Sequence, residues 1–335
     1  MFPAKALRLH RASSLAVVGI VKNAGKTVAI GRLLRESASL GRVAGVLSTG
    51  LDGEPRDTVF GYRKPPVIVS EGMWVATAAQ GIEAAEAGLA PRAETGVATP
   101  FGPVVVAEVV RAGRVSLIGP RSLSQVARVI MALRAHGVEL VLVDGSVDRR
   151  AVAAAAETEA VVLVVGAAWS RDLASVVREA RRVLAAFAFP LTGLGLADWP
   201  AAPDMVTRSG EVSPCGLASA LGAEEALAAL AAGRRAHALR CPGAVSGALL
   251  DALVDSAATP LKLIAHDGTR VFATEAEIER FEAAGGEIEV RRPIRVAGVA
   301  INPYSPEGYR LPVTELRERI QDLAPGRPVF DALKD

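Results

Sequence analysis

The sequence predicts an α/β protein: a mainly parallel sheet layered between helices, followed by a smaller C-terminal α/β domain. Three observations carry that prediction. Short, continuous apolar runs recur through residues 15–196. Segments with helical periodicity separate them. A second, looser series of strand and helix patterns follows a Pro-rich polar stretch at 198–214.

Continuous rather than alternating apolar runs mark strands buried on both faces, as in parallel sheets. The runs at 15–21 (LAVVGIV), 43–48 (VAGVLS), 139–145 (ELVLVDG), 160–166 (AVVLVVG) and 191–196 (LTGLGL) fit that description. Helical periodicity fills 25–39, 121–136, 148–157 and 171–187, so strand and helix alternate as crossover units require. Residues 71–88 (EGMWVATAAQGIEAAEAG) are expected to form a further helix. Residues 99–119 are expected to form two strands joined at Arg111-Ala112-Gly113, a hairpin on the sheet's edge. Beyond the connector, strands are expected at 260–265, 270–273, 287–290 and 294–301, and helices at 216–232, 246–256, 275–284 and 313–323. The expected division is therefore 1–197, a connector and helix over 198–235, and a C-terminal domain over 236–335.

With 335 residues, 50% of them hydrophobic, the chain can bury one large core or two smaller ones. Aromatics make up 4%, so the core has to be built from Ala, Val and Leu. A net charge of +2 and the lack of a basic cluster point away from nucleic acid. Cys215 and Cys241 lack metal-site spacing and read as ordinary reduced thiols. The basic opening residues precede an apolar run too short, and too abruptly continued, for a cleavable leader. No apolar stretch reaches the ~18 residues needed to cross a bilayer. A soluble, cytoplasmic protein with no membrane partner is expected.

Residues 17–34 (VVGIVKNAGKTVAIGRLL) place Gly-Lys-Thr between an apolar strand and an amphipathic helix. A loop of this kind turns backbone N–H groups toward a phosphate, and the helix N-terminus adds partial positive charge. Gly19, Lys22, Asn23, Ala24, Gly25, Lys26, Thr27 and Val28 are the candidate nucleotide cradle. Gly25 lets the backbone approach the phosphates. Lys26 would bridge β- and γ-phosphate oxygens, and Thr27 would give its hydroxyl to Mg²⁺. The usual loop spacing would place a glycine at position 20, where this chain has Ile20; its first glycine is Gly19.

Such a site also needs a carboxylate at the end of a buried strand. Leu140–Val143 run into Asp144, with Gly145 following. An ionised carboxylate there is costly unless it meets a metal or strong donors, so Asp144 is the candidate Mg²⁺-associated acid. Asp148 and Arg149 follow, either as groups supporting the site or as the N-cap and a surface charge of helix 148–157. The loop STGLDGEPRD (48–57) offers Ser48, Thr49, Asp52, Glu54 and Asp57. Asp52 is a candidate second Mg²⁺ contact, or the residue that places the attacking group; Leu51-Asp52-Gly53 fits a plain turn equally well. Lys26, Asp52 and Asp144 are thus the candidate catalytic residues, and Thr27, Asp52 and Asp144 the candidate metal ligands. No Asn-Lys-x-Asp guanine reader occurs, which favours ATP as the nucleotide. His10, His136, His237 and His266 share no spacing with other ligands, and none is assigned a metal role.

The five residues between Gly19 and Gly25 resemble the loop of dethiobiotin synthetase and its relatives in cobalamin biosynthesis. These belong to the wider class of phosphate-loop NTPases that includes the septum-site and nitrogenase-iron-protein ATPases. The resemblance implies a three-layer phosphate-loop NTPase sandwich over 1–197 and puts Gly19 in register. Some members of that class reach across a homodimer with a second lysine, at the position held here by Val21. Lys22 is therefore read as a solvated loop lysine, and a homodimer remains an open alternative.

A broader likeness covers most of the chain. GIVKNAGKT, STGLDGEPRD, TPFGPVVVAEVVRAGRVSLIGP, LVDGSVDRR and AINPYSPEGY resemble the layout of the phosphate-loop subunit of lysine 5,6-aminomutase reactivase, a component of lysine fermentation. This implies an ATP-dependent activity, acting with a second ATPase-like subunit, that restores an adenosylcobalamin-dependent aminomutase after cofactor damage. Gly19, Lys22, Asn23, Gly25, Lys26, Thr27, Asp52, Gly53, Glu54, Asp144, Gly145, Asp148 and Arg149 match the motifs; Val28 departs from them, because relatives often repeat a threonine there. The alternative is an ATP-dependent ligase or kinase of the dethiobiotin-synthetase type, acting on a small carboxylate or amine. Residues 302–309 (NPYSPEGY) form either a partner- or ligand-binding loop or an ordered turn.

Overall fold

The computed structural model describes residues 12–49, 51–52, 67–120, 122–145, 158–195 and 198–334. The strands are β1 (Ser14–Gly19), β2 (Ala44–Ser48), β3 (Leu51–Asp52), β4 (Val67–Val69), β5 (Trp74–Ala78), β6 (Gly88–Thr99), β7 (Gly102–Arg111), β8 (Gly113–Val115), β9 (Leu117–Ile118), β10 (Leu140–Asp144) and β11 (Ala160–Gly166). There follow β12 (Asp204–Val206), β13 (Val212–Pro214), β14 (Ala238–Cys241), β15 (Val245–Ser246), β16 (Lys262–Ala265), β17 (Val271–Phe272), β18 (Glu287–Val290), β19 (Val296–Asn302) and β20 (Val329–Asp331). The helices among the described residues are α1 (Lys26–Ser39), α2 (Ala79–Glu83), α3 (Leu123–Ala135), α4 (Leu173–Phe187), α5 (Glu224–Arg234), α6 (Gly247–Asp255), α7 (Glu275–Ala283) and α8 (Val313–Leu323). None of them is long and apolar enough to cross a membrane. The chain is α/β, and it divides into two compact units: 1–181 together with 295–335, and 182–294.

The first unit is built on a nine-stranded sheet in the order β20-β19-β11-β1-β10-β2-β5-β7-β6. Every pairing from β20 to β5 is parallel; β7 and β6 add an antiparallel hairpin at one edge. The period of two decides what each face packs. Leu140 and Leu142 of β10 join Leu15, Val17, Val162 and Val164 in one cluster with Ile30, Leu33 and Leu34 of α1. Val141 and Val143 join Leu47 and Val106 in another with Val126, Val129 and Leu133 of α3. The central strands therefore bury both faces, which is why their sequences run apolar without alternation. Helix α1 turns Ala29, Ile30, Leu33 and Leu34 inward at helical spacing, and Ser37 on the same face satisfies its hydroxyl on the Leu33 carbonyl at 2.9 Å.

The second unit has a five-stranded sheet, β13-β12-β14-β16-β18, in which β14, β16 and β18 run parallel. Leu239, Leu263, Ile288 and Val290 face a cluster that includes Leu227 of α5, Leu249 and Leu253 of α6 and Phe281 of α7. Alternate residues turn charge to the opposite face. There Arg240 donates in a fork to Asp204, with Nε at 2.6 Å, and Lys262 meets Glu287 at 2.9 Å and Glu289 at 2.5 Å. Arg240 and Asp204 are buried, so pairing is what makes their desolvation tolerable. Cys215 and Cys241 are both free and buried. Burial pushes the Cys241 thiol up, which makes it an inert core residue.

Several expectations differ from these observations, among them the connector at 198–214, which holds β12 and β13, and the helix expected at 216–232, which begins at Glu224. Residues 71–88 hold strand β5 and the short helix α2 rather than one helix. The edge hairpin pairs β6 with β7 and turns at 100–101; β8, past Arg111, pairs instead with β4. Residues 191–195 form no strand, and Leu191 makes only an isolated bridge to Val290. The run 294–301 is a strand, but as β19 it pairs with β11, so the chain's last segment belongs to the first unit rather than to a domain over 236–335. The expected helix 148–157 lies outside the described residues.

Candidate functional site

The parallel register brings several strand ends to one edge of the large sheet. Gly19 sits opposite Val164, Asp144 opposite both Val17 and Ser48, and Gly166 opposite Asn302. Crevices outside the carboxyl ends of parallel strands are the usual ligand positions in open α/β sheets. Residues 20–25 cross this edge between β1 and α1. The loop is anchored by Ile20 N donating to the Val164 carbonyl at 3.0 Å, and is tightened by Ala24 N donating to Val21 O at 3.3 Å.

Two loop residues adopt the left-handed conformation, Asn23 at φ 62° and Gly25 at φ 106°. For Gly25 the reason for glycine is steric as well as conformational: a Cβ there would stand 2.6 Å from Asn302 Nδ2. A Cβ on Gly19 would stand 3.0 Å from both Ala24 Cβ and the Val21 carbonyl oxygen, so the early glycine is also where the fold needs a small residue. At the end of β11, a Cβ on Gly166 would run into the Ala24 carbonyl and lie 2.6 Å from Ala24 Cα.

Gly25 is the N-cap of α1, and it supplies no side-chain cap; the first turn carries no acidic residue. The ladder begins with Ala29 N donating to Gly25 O at 3.0 Å, so the N–H groups of the first turn precede it and aim out of the helix end. Lys26 begins the helix and is 8% exposed. Thr27 follows on the same turn, half-buried, while Ala24 is fully buried and Val28 packs against the core. Val28 is thus a packing residue. Lys22 is half-buried on the loop.

Asp144 is completely buried at the tip of β10. Its carbonyl accepts from Thr49 N at 3.0 Å and from Thr49 Oγ1 at 3.4 Å, which ties the end of β2 to that of β10. Gly145 N donates to Val17 O at 3.4 Å. The backbone of Asp52 pairs with Leu117 in the short β3–β9 ribbon. The side chain of Asp52, and all of Gly53, Glu54, Asp57, Asp148 and Arg149, lie outside the described residues.

The structure adds groups that the sequence reading did not place here. Asn302, 8% exposed, backs Gly25, and its Oδ1 accepts from Tyr304 N at 3.3 Å. The Asn302 carbonyl accepts from Ala167 N at 2.9 Å, and the Tyr309 hydroxyl donates to the Ala167 carbonyl. Arg171 lies 4.9 Å over the Tyr309 ring and 3.6 Å from Glu307. The 302–309 segment is therefore an ordered turn fastened beside the loop. The available signal was the glycine at 166 and the asparagine closing an apolar strand, but only pairing of β11 with β19 gives either a meaning.

Comparisons of the chain with protein-family models, curated proteins and solved structures find no match.

Proposed function

We propose that the first unit is a phosphate-loop NTPase that binds ATP with Mg²⁺ and hydrolyses it. The observation that carries this reading is the 19–27 loop: an uncapped helix start, a left-handed Gly25 with no room for a side chain, and a buried Asp144 on the adjoining strand. The residues fit Mg²⁺–ATP. The cradle is one that a Cβ would fill, and the hard oxygen donors Thr27 and Asp144 suit Mg²⁺. The first-turn N–H groups would take phosphate oxygens, aided by the helix dipole. The Lys26 ammonium, carried on a rigid helix, would stabilise negative charge where the terminal phosphoryl group departs. Thr27 and Asp144 would hold the metal, directly or through water, and Asp52 remains the candidate for placing the attacking water. Bound Mg²⁺ supplies charge neutralisation on the phosphates. Asn302 would fix the turn at Gly25 from behind.

Gly166→Ala tests the cradle without removing a polar group. A methyl there displaces Ala24, and a misplacement of about 1 Å near reacting groups costs roughly 10²-fold. ATP binding by calorimetry should weaken while the circular dichroism spectrum stays that of wild type. Unchanged binding would mean that the loop tolerates the shift and is not the nucleotide cradle.

We further propose that this ATPase restores an adenosylcobalamin-dependent aminomutase, together with a second ATPase-like subunit. Support comes from the resemblance to the reactivase subunit, several of whose motifs, from Gly19 to Asn302, lie on one sheet edge. The test is Mg²⁺-dependent phosphate release from ATP, with and without an aminomutase inactivated by turnover. Stimulation by the inactivated enzyme is expected. Release indifferent to the aminomutase but raised by a small carboxylate or amine would replace this reading with the ligase or kinase one.

A further inference from the structure

The second unit repeats, on a smaller scale, the arrangement of parallel strands ending at a polar edge. His266 follows β16 and Arg291 follows β18. The register pairs Ala265 with Val290, and Arg291 N donates to the Ala265 carbonyl at 2.9 Å, so His266 and Arg291 come next on neighbouring strands. By the period of two, both side chains leave on the charged face, the one opposite α5–α7.

Three contacts give this pair a defined chemistry. His266 Nδ1 lies 2.8 Å from Asp267 Oδ2. Asp267 is 1% exposed, and its other oxygen accepts from Thr269 N at 2.9 Å and from the Thr269 hydroxyl. Burial raises the Asp267 carboxyl, but the bonds from His266 and Thr269 outweigh it and hold the group below its usual range. An ionised acceptor fixes the hydrogen on Nδ1 and leaves the Nε2 lone pair to face outward. The imidazole, about a quarter exposed at 24%, meets the Trp199 ring edge-on at 5.8 Å. The Arg291 guanidinium lies 5.4 Å over the same ring. Among the described residues no carboxylate pairs with Arg291. A half-buried guanidinium whose face is taken by an indole offers its N–H edge to a planar or tetrahedral oxyanion.

We propose that His266 and Arg291, organised around Trp199, form a second ligand site that takes a phosphate group, either free or as a monoester. Arg291 supplies the fork of donors. His266 Nε2 accepts from the P–OH of hydrogen phosphate or of a monoester monoanion, a donor that acetate lacks. Asp267 is the positioning residue that sets the imidazole tautomer. The site is independent of the 19–27 loop and of the reading given to it.

The test uses the full chain carrying Lys26→Ala, which weakens phosphate binding at the loop. Inorganic phosphate, phenyl phosphate and acetate are titrated separately while the His266 imaging signal is the ring ¹H–¹⁵N resonance, assigned by its loss in His266→Gln. Saturable shifts with phosphate are expected, at least about tenfold tighter than with acetate, the scale of one hydrogen bond to a charged group. Arg291→Ala should weaken phosphate binding by a similar factor, and Asp267→Asn should move the Nε2 resonance before any phosphate is added. Preference for phenyl phosphate over phosphate would identify a monoester ligand. Shifts that do not saturate, that acetate matches, or that Arg291→Ala leaves intact would overturn the proposal. Arg291→Lys keeps the charge without the fork, and it serves if the alanine variant fails to fold.

Discussion

Lys26→Ala is expected to reduce Mg²⁺-dependent phosphate release from ATP by at least about 10²–10³-fold, the scale of losing one preorganised charge stabiliser. The fold should survive. Lys26 is the first residue of α1, and alanine is the better helix former. Lys26 heads the buried face of the helix, and the apolar side chains from Ala29 to Leu34 that anchor it are untouched by the substitution. Single-turnover phosphate release separates loss of chemistry from loss of affinity, and a thermal melt checks the fold. Wild-type release in a folded variant would remove the ATPase assignment for this loop.

Asp144→Asn is expected to cost about 10²-fold in turnover at saturating ATP and to raise the Mg²⁺ concentration needed for half-maximal release. The substitution keeps size, removes the charge and replaces one acceptor oxygen with an NH2 donor. Its position is fixed on both sides, since Asp144 pairs with Val17 and with Ser48, and its carbonyl is held by Thr49. The lesion should therefore stay electrostatic. A Mg²⁺ titration of phosphate release is the measurement. A variant with unchanged Mg²⁺ dependence would show that the buried carboxylate has a structural role and that the metal is held elsewhere.

Most of the first unit's strands were legible because burial on both faces writes itself as an uninterrupted apolar run. Residues 160–166 match β11 at both ends, and 313–323 match α8. The failures have physical causes. Residues 74–78 contain three of the small or β-branched residues, Val75, Ala76 and Thr77, that are fully buried between β2 and β7. Alanine-rich neighbours suggest a helix locally, and tertiary pairing overrides them. Strand β6 carries Pro91 and Gly96 and shifts register along its length, so it has no clean alternation to read. For β19 the strand was visible but its partner was not: an apolar run says that a strand is buried, and not in which sheet. That one ambiguity hid the place of Asn302 behind Gly25, whereas Lys26, Thr27 and Asp144 were picked out as candidates by local spacing alone, at the head of α1 and the tip of β10.

The return of β19 to the large sheet has a consequence for biosynthesis. The whole of the second unit is encoded between β11 and the strand that flanks it. A ribosome delivers β1, α1 and Asp144 well before Asn302, which follows only after the whole second unit. Pairings this distant in sequence close late, after the intervening segment has collapsed. The loop at Gly25 therefore waits for its backing until the second unit has emerged, so a nascent chain has Lys26 and Thr27 long before it has the side chain behind Gly25. A product that stops before β19 would retain Lys26 and Thr27 and lack the Asn302 side chain that packs behind Gly25.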